Sequence, residues 1–262
     1  MENFGWDWFV KKAYQKTGFD LNAYKRPQME RRINSFMRTV GAHNYKGLIN
    51  LCNEDEDVRR SLVEHLTINV SDFFRNPNCW QVLQQDIIPD LLKDRTPIKI
   101  WSSGCSTGEE PYSLALLMNE YFPGQAVTIK ATDIDEVALQ KAQTGSYSRK
   151  AVQGIPSHLL KKYFTEDESG FAIHDKIKRM VKFGKQDMLE DTFPSDLDLI
   201  LCRNVVIYFT EEAKNKLYRK FARALRFGGI LFIGSTEQIF QAKDIGLESR
   251  ATFFYQKSRL DK

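Results

Sequence analysis

At 262 residues the chain is long enough for one large domain or two modest ones, each with a real core. Hydrophobic residues make up 42% and charged residues 27%, an ordinary globular balance, and no uninterrupted apolar run approaches bilayer-spanning length. A formal net charge of +4 is too small for a protein that coats nucleic acid, and the opening MENFGWDWFVKK is unlike a secretory leader, so a cytoplasmic protein is expected.

The first part of the chain, to about residue 95, reads as helical. Leu48, Leu51 and Cys52 recur at i, i+3 and i+4, and Ile33, Phe36, Met37 and Val40 share one helical stripe before a stop at Gly41. Between residues 22 and 50 the bases Lys25, Arg26, Arg31, Arg32, Arg38 and Lys46 face Glu30 alone, a local positive field that favours an acidic partner. The plain alternative is a solvated helix face.

The character changes at Thr96-Pro97. Short apolar runs at 98–101, 127–131, 180–183, 197–201 and 230–233 alternate with helical stretches at 110–121, 136–143 and 211–225, the last ending at Gly228-Gly229. Such alternation predicts an α/β fold, a mostly parallel, doubly wound, Rossmann-like sheet with helices on both faces. Residues 251–256 read as a final antiparallel edge strand. Residues 145–179 interrupt the pattern with a helical piece and a hairpin around Ser169-Gly170, either a partner-binding insertion or a surface excursion. The expected organisation is a helical domain and linker over 1–75, then an α/β domain over 76–262 carrying a β insertion at about 145–179.

Cys52, Cys79, Cys105 and Cys202 are scattered, without a CxxC pair or neighbouring histidines, so reduced thiols and no metal are expected. The first strand is followed by Ser102-Ser103-Gly104-Cys105-Ser106-Thr107-Gly108-Glu109-Glu110-Pro111. Small residues at a strand end let a ligand approach the backbone. This is neither the GxGxxG fingerprint nor a phosphate loop, and its two acids would repel phosphate while welcoming an ammonium. The second strand ends in Thr132-Asp133-Ile134-Asp135, where an acid can accept hydrogen bonds from ribose hydroxyls. S-adenosylmethionine, which carries an amine, a ribose and no phosphate, meets both demands. A simple tight turn is the alternative.

Three separated motifs then become specific. Leu66-Thr67-Ile68-Asn69-Val70-Ser71-Asp72-Phe73-Phe74-Arg75, the run WSSGCSTGEEPY from Trp101 to Tyr112, and Cys202-Arg203-Asn204-Val205-Val206-Ile207-Tyr208-Phe209 resemble, in order, the signatures of CheR-type chemotaxis receptor methyltransferases. The resemblance covers essentially the whole chain. It implies a methyltransferase domain behind a small all-α domain, with S-adenosylmethionine as cofactor and S-adenosylhomocysteine as product. The reaction it implies is methyl transfer from the sulfonium to glutamate carboxylates of chemotaxis receptors. By the same resemblance Asn69, Ser71 and Arg75 reach the cofactor from the linker, Glu109 meets its amino group and Asp133 its ribose. Asp187 and Met188 border the adenine, while Cys202, Arg203 and Asn204 line the site. The family carries asparagine and leucine where this chain has Asp187 and Met188. Arg75 and Tyr208 are the candidate catalytic residues. From the residues alone, Asn69 and Ser71 could equally cap a turn, Arg75 could be a surface ion-pair partner, and Tyr208 could be core.

A glutamate side chain is ionised at neutral pH, so no general base is required and the absence of a His–acid pair does not argue against an enzyme. The expected partner is the glutamate-rich helical cytoplasmic region of methyl-accepting chemotaxis receptors, docked on Arg31, Arg32, Arg38 and Lys46. Neither nucleic acid nor membrane insertion is expected. The insertion resembles the β-subdomain with which some family members grip a receptor's tail peptide, although its hairpin at 165–173 is short. Two other readings stay open: a non-catalytic module that keeps the cofactor pocket, and a nucleic-acid methyltransferase. The second lacks the expected Pro-Pro-aromatic turn after the fourth strand, where Cys202-Arg203-Asn204-Val205 stands instead.

Overall fold

The computed structural model describes residues 4–67, 69–94 and 96–258. Ile68 of the linker motif and residues 1–3 of the opening segment lie outside them. Backbone proximity divides the chain into two units, Met1–Ile68 with Tyr208–Asn215, and Asn69–Ile207 with Lys216–Lys262. The division thus falls several residues before the expected 75, and a short segment from late in the chain joins the first unit.

In the first unit, helices α1 (Trp6–Thr17), α2 (Arg26–Val40), α3 (Tyr45–Glu54) and α4 (Glu56–Leu66) enclose an apolar centre. Met29, Ile33 and Phe36 lie buried on α2 at the spacing that puts them on one face. The helix stops where expected, at Gly41 with φ 73°, whose N–H donates to Met37 O. Asn44 accepts from Gly47 N–H to start α3, and Asp55 accepts from Asp57 and Val58 N–H to start α4. The 208–215 segment is tied on by Lys25 N–H donating to Tyr208 O at 2.9 Å and by Thr210 N–H donating to Ala23 O at 2.8 Å.

The second unit opens with α5 (Pro77–Val82), which runs through one π-helical turn into α6 (Ile88–Asp94). Next come β1 (Ile98–Ser103), α7 (Glu109–Tyr121), β2 (Val127–Asp133) and α8 (Glu136–Thr144). The insertion supplies β3 (Ser146–Tyr147), α9 (Ser157–Tyr163), β4 (Phe164–Glu166), β5 (Phe171–Ile173) and α10 (Asp175–Lys178). The chain then forms β6 (Val181–Lys185), β7 (Leu197–Cys202), α11 (Glu211–Ala224), β8 (Leu225–Ile233), β9 (Leu247–Ala251) and β10 (Phe254–Lys257). The main sheet has the order β6-β2-β1-β7-β8-β10-β9, parallel from β6 to β8, with β10 antiparallel to both of its neighbours.

That order creates the binding crevice. The chain builds outward from β1 through β2 to β6, then crosses back to β7 on the other side of β1. Parallel register brings Ser103 beside Thr132, Asp133 beside Lys185 and Cys202 beside Ile233, so the strands end level around this switch point. Helix α7 is buried along nearly its whole length, from Glu109 to Met118, which fixes the turn that precedes it.

Two expectations need correction. The last strand is not a single edge strand over 251–256. Ala251 ends β9, residues 252–253 turn, and 254–256 belong to β10, which is antiparallel as expected but interior, paired with β8 and β9. The insertion is more than a hairpin, because β3 pairs with β5 to complete a three-stranded sheet ordered β3-β5-β4.

Candidate active site

The turn between β1 and α7 is shaped by two glycines. Gly104 has φ 76° and a Cβ there would meet Val205 Cγ2 at 2.6 Å, while Gly108 has φ 92° and would meet Ala142 Cβ at 2.9 Å. Between them Ser106 is also left-handed, with φ 48°. This conformation turns the Ser106 N–H onto Asp133 Oδ2 at 2.7 Å, and Asp135 N–H donates to Asp133 Oδ1 at 3.0 Å. Asp133 is therefore fixed through both oxygens at the end of β2. Burial still pushes its carboxyl above the usual range, against the pull of those N–H donors.

Glu109 begins α7 and is only 5% exposed. Thr107 Oγ1 lies 2.8 Å from each of its oxygens, and the Ser71 hydroxyl also donates to it. Burial again raises its pKa. Asn69 completes the ring, donating from Nδ2 to Asp135 Oδ2 at 2.6 Å and accepting from Ser106 Oγ at 3.1 Å. Of the residues chosen from sequence, Asn69 and Asp133 thus share one network through Ser106 and Asp135, and Ser71 and Glu109 share a second that includes Thr107.

On the other side of β1, Cys202 ends β7 fully buried, and burial holds its thiol well above the ordinary range, leaving an inert wall. Arg203 behaves differently from the expectation. Its side chain is 3% exposed and points away into the protein, donating from Nη2 to Arg75 O at 2.8 Å and Asn76 Oδ1 at 2.9 Å. It also pairs with Glu110 at 3.5 Å and stacks 4.4 Å from the Phe232 ring centroid. The guanidinium braces the turn that carries Arg75, in which Phe74 and Asn76 are left-handed at φ 50° and 61°. Asn204 is left-handed too, at φ 58°. Of six non-glycine residues with positive φ among the described residues, Phe74, Asn76, Ser106 and Asn204 cluster in this region, the usual place for backbone strain.

Asp187 follows β6, but its Oδ1 accepts from Leu189 N–H at 2.8 Å and its own N–H donates to Asp191 Oδ2 at 2.9 Å. Its carboxyl shapes the 187–192 loop rather than standing free, and burial raises its pKa. Tyr208 groups with the helical unit, as does the docking set. Arg31, Arg38 and Lys46 are exposed there. Arg32 is not part of that face: it donates to His65 O through Nε at 2.9 Å and to Thr67 O through Nη2 at 3.2 Å, capping the C-terminal carbonyls of α4.

Three contributors were not legible in the sequence. Tyr147 of β3 donates its hydroxyl to Thr107 O at 2.9 Å, so the insertion braces the turn directly. Glu237 follows β8 and is buried beside Asn204. Lys220 of α11 sends its ammonium into a cage of carbonyls, Met188 O at 2.8 Å, Asp191 O at 3.0 Å and Leu189 O at 3.2 Å, over the Phe193 ring.

The sequence matches two known family models. The CheR methyltransferase, SAM binding domain family matches residues 69–253, and the CheR methyltransferase, all-alpha domain family matches residues 5–67. The chain belongs to the CheR methyltransferase family. It is 38% identical over 252 residues to a chemotaxis protein methyltransferase of Listeria innocua, covering 96% of each chain. The Listeria monocytogenes protein of the same description is equally similar, at 38% over 252 residues and 96% of each chain. That of Borreliella burgdorferi is 32% identical over 258 residues, covering 93% of this chain and 91% of the relative.

The residues fit the family's S-adenosylmethionine. Glu109 at the start of α7 and Asp133 at the end of β2 are buried acids with raised pKa values, an environment that an ammonium and a pair of ribose hydroxyls would relieve. Phosphate would meet the Glu109 and Glu110 carboxyls in the first turn of α7. Lys220→Met should loosen the 187–192 loop and weaken S-adenosylhomocysteine binding by roughly tenfold, leaving turnover at saturating cofactor nearly unchanged. Calorimetry and a KM-against-kcat comparison check this.

Proposed function

We propose that this methyltransferase esterifies glutamate side chains in the helical cytoplasmic region of chemotaxis receptors, using S-adenosylmethionine. The observation that carries the reading is the pair of buried acids, Asp133 at the end of β2 and Glu109 at the start of α7, each fixed by hydrogen bonds around the β1–α7 turn in a CheR-family chain. When bound, the cofactor supplies an electrophilic methyl group on its sulfonium. The chain's own tasks are to hold the amine and ribose at Glu109 and Asp133, to border the adenine with the Asp187-Met188 backbone, and to orient and partly dehydrate the acceptor carboxylate. That carboxylate is already ionised, so no residue need take a proton from it. The decisive assay incubates labelled cofactor with receptor-containing membranes and then adds mild alkali. Glutamyl methyl esters release volatile methanol, whereas N-methyl groups stay attached; label that resists alkali would refute the ester reading.

In this reading Arg75 orients the acceptor carboxylate or the carboxyl end of the cofactor. The Arg75 carbonyl already anchors Arg203 and accepts from Trp80 Nε1 at 3.0 Å, contacts that survive loss of the side chain. Arg75→Ala should therefore lower turnover by about 100-fold or more with little change in thermal stability.

Receptor docking rests on the exposed bases of the helical unit. Arg31 and Arg38, one turn pair apart on α2, with Lys46 on α3, would complement a glutamate-rich helix. Reversing Arg31 and Arg38 to Glu should weaken receptor methylation and flatten its dependence on salt. An unchanged salt profile would remove the docking face from the account.

A further inference from the structure

Two acceptors at the ends of β7 and β8 have no hydrogen-bond partner although both are buried: Asn204 Oδ1 and Glu237 Oε1. An acceptor buried without a donor is costly, and two together at one place call for an explanation. Both side chains press on the same glycine. The point where a Cβ on Gly234 would sit is 2.6 Å from Asn204 N, 3.0 Å from Glu237 Oε2 and 3.1 Å from Asn204 Cγ, so not even a methyl group fits between them. The other oxygen of Glu237 has a donor. Oε2 accepts from Gly234 N–H at 2.6 Å, and the carboxyl also accepts from Ile207 N–H. Glu237 thereby ties the end of β8 to the segment that follows Asn204, which is itself held in the left-handed region at φ 58°. One proton resolves the mismatch, since a carboxylic acid is a donor where a carboxylate is only an acceptor.

We propose that Glu237 is a positioning residue that works as its neutral acid, carrying the proton that turns one of these two acceptors into a donor for the other and so fixing the Asn204 turn in the cofactor wall. The surroundings agree. Arg203 favours the ionised carboxyl, but its guanidinium is already paired with Glu110, whose carboxylate opposes a second negative charge; the Cys202 thiol is held neutral by burial. Burial, with a smaller push from Glu110, brings Glu237 up to about 7 against the pull of Arg203 and the Gly234 and Ile207 N–H groups.

The inference rests on the cofactor reading, and its test is chosen to fail separately. S-adenosylhomocysteine affinity of wild type, Glu237→Gln and Glu237→Leu is measured by calorimetry from pH 6 to pH 8.5, alongside thermal unfolding of the ligand-free chain. The amine of the ligand titrates identically in all three, so only differences between proteins count. Wild-type affinity should fall by about tenfold across neutrality relative to the glutamine variant. Glu237→Gln keeps an acceptor for Gly234 and a donor for Asn204, and should show no such fall as pH rises through neutrality; Glu237→Leu should be weaker than both at neutral pH and below. In unfolding, the folded-state carboxyl lies above its ordinary 4.5, so wild type should lose stability relative to Glu237→Gln as pH rises from 4.5 to about 7. Parallel affinity curves for wild type and Gln overturn the proposal, as does a Gln variant that is weak throughout. Absence of binding in wild type as well strikes the cofactor reading, while the unfolding curves still decide whether Glu237 holds its proton.

Discussion

Replacing Arg203 by methionine is expected to destabilise the Asn69–Ile207 and Lys216–Lys262 unit by about 3–5 kcal/mol, the cost of leaving a buried partner charge uncompensated. The Arg203 side chain is 3% exposed and its partner Glu110 13% exposed, so solvent cannot take over the lost pairing. Glu110 retains the Ser102 hydroxyl, at 2.8 Å, and the weaker pull of the Arg75 charge. The carbonyl of Arg75 and Oδ1 of Asn76 lose their guanidinium donor as well, and they sit in the left-handed turn. The pH dependence gives the effect a signature. Burial already raises Glu110, and Arg203 is the largest influence lowering it again. Without the arginine the folded-state pKa climbs further above its ordinary 4.5, so the variant's deficit should grow as pH rises through that window and shrink in acid, where Glu110 is neutral. Urea unfolding at pH 5 and pH 8 measures this. Arg203→Met combined with Glu110→Gln should recover part of the loss; a double variant no better than the single one would mean that the pair is not the source.

Arg203 also shows what sequence can and cannot reveal here. The Cys202-Arg203-Asn204 motif places an arginine at the end of a strand beside the cofactor crevice, and that much was legible. Which way a long side chain turns depends on the carbonyls and carboxylates brought to it by α5, the linker and α7, none of which is adjacent in sequence. Arg32 repeats the lesson on α2, where periodicity gives the face but not the cap it makes on α4. The site's acids were readable because Asp133 ends a strand and Glu109 opens the helix that follows one, the two places where α/β topology lines the crevice. Tyr147, Lys220 and Glu237 were not, because their contacts exist only once distant elements close up.

The strand errors have equally local causes. Gly228-Gly229 reads as a helix stop, yet α11 ends at Ala224 and β8 begins at Leu225. The glycines lie within β8, where its register against β7 shifts between Leu197 and Leu199, and a Cβ on Gly229 would stand 2.7 Å from Leu197 O. The pair marks an irregular strand rather than a boundary. Likewise β9 runs through Glu248, Ser249 and Arg250, all exposed, because an edge strand facing solvent carries no apolar alternation to betray it.

The second large effect concerns the acids themselves. Asp133→Ala should weaken S-adenosylhomocysteine binding by about 100-fold or more, since it removes the ribose acceptor and also frees Ser106 and Asp135, whose N–H groups it holds at 2.7 and 3.0 Å. Glu109→Gln should cost about 10- to 100-fold, the worth of a charge-assisted contact to an ammonium. The two differ in what they do to pH dependence. Burial raises the Glu109 carboxyl in the ligand-free chain, and an arriving ammonium favours its ionised form, so binding expels a proton when the pH is near or below that raised value. Affinity of wild type should therefore fall as pH falls, with proton release measurable by calorimetry in buffers of different ionisation enthalpy. Glu109→Gln has no such proton to expel and should lose the acid limb, whereas Asp133→Ala, with Glu109 intact, should keep it at reduced affinity. An acid limb that persists in Glu109→Gln would move the ammonium partner elsewhere and dismantle the assignment of the amine to the first turn of α7.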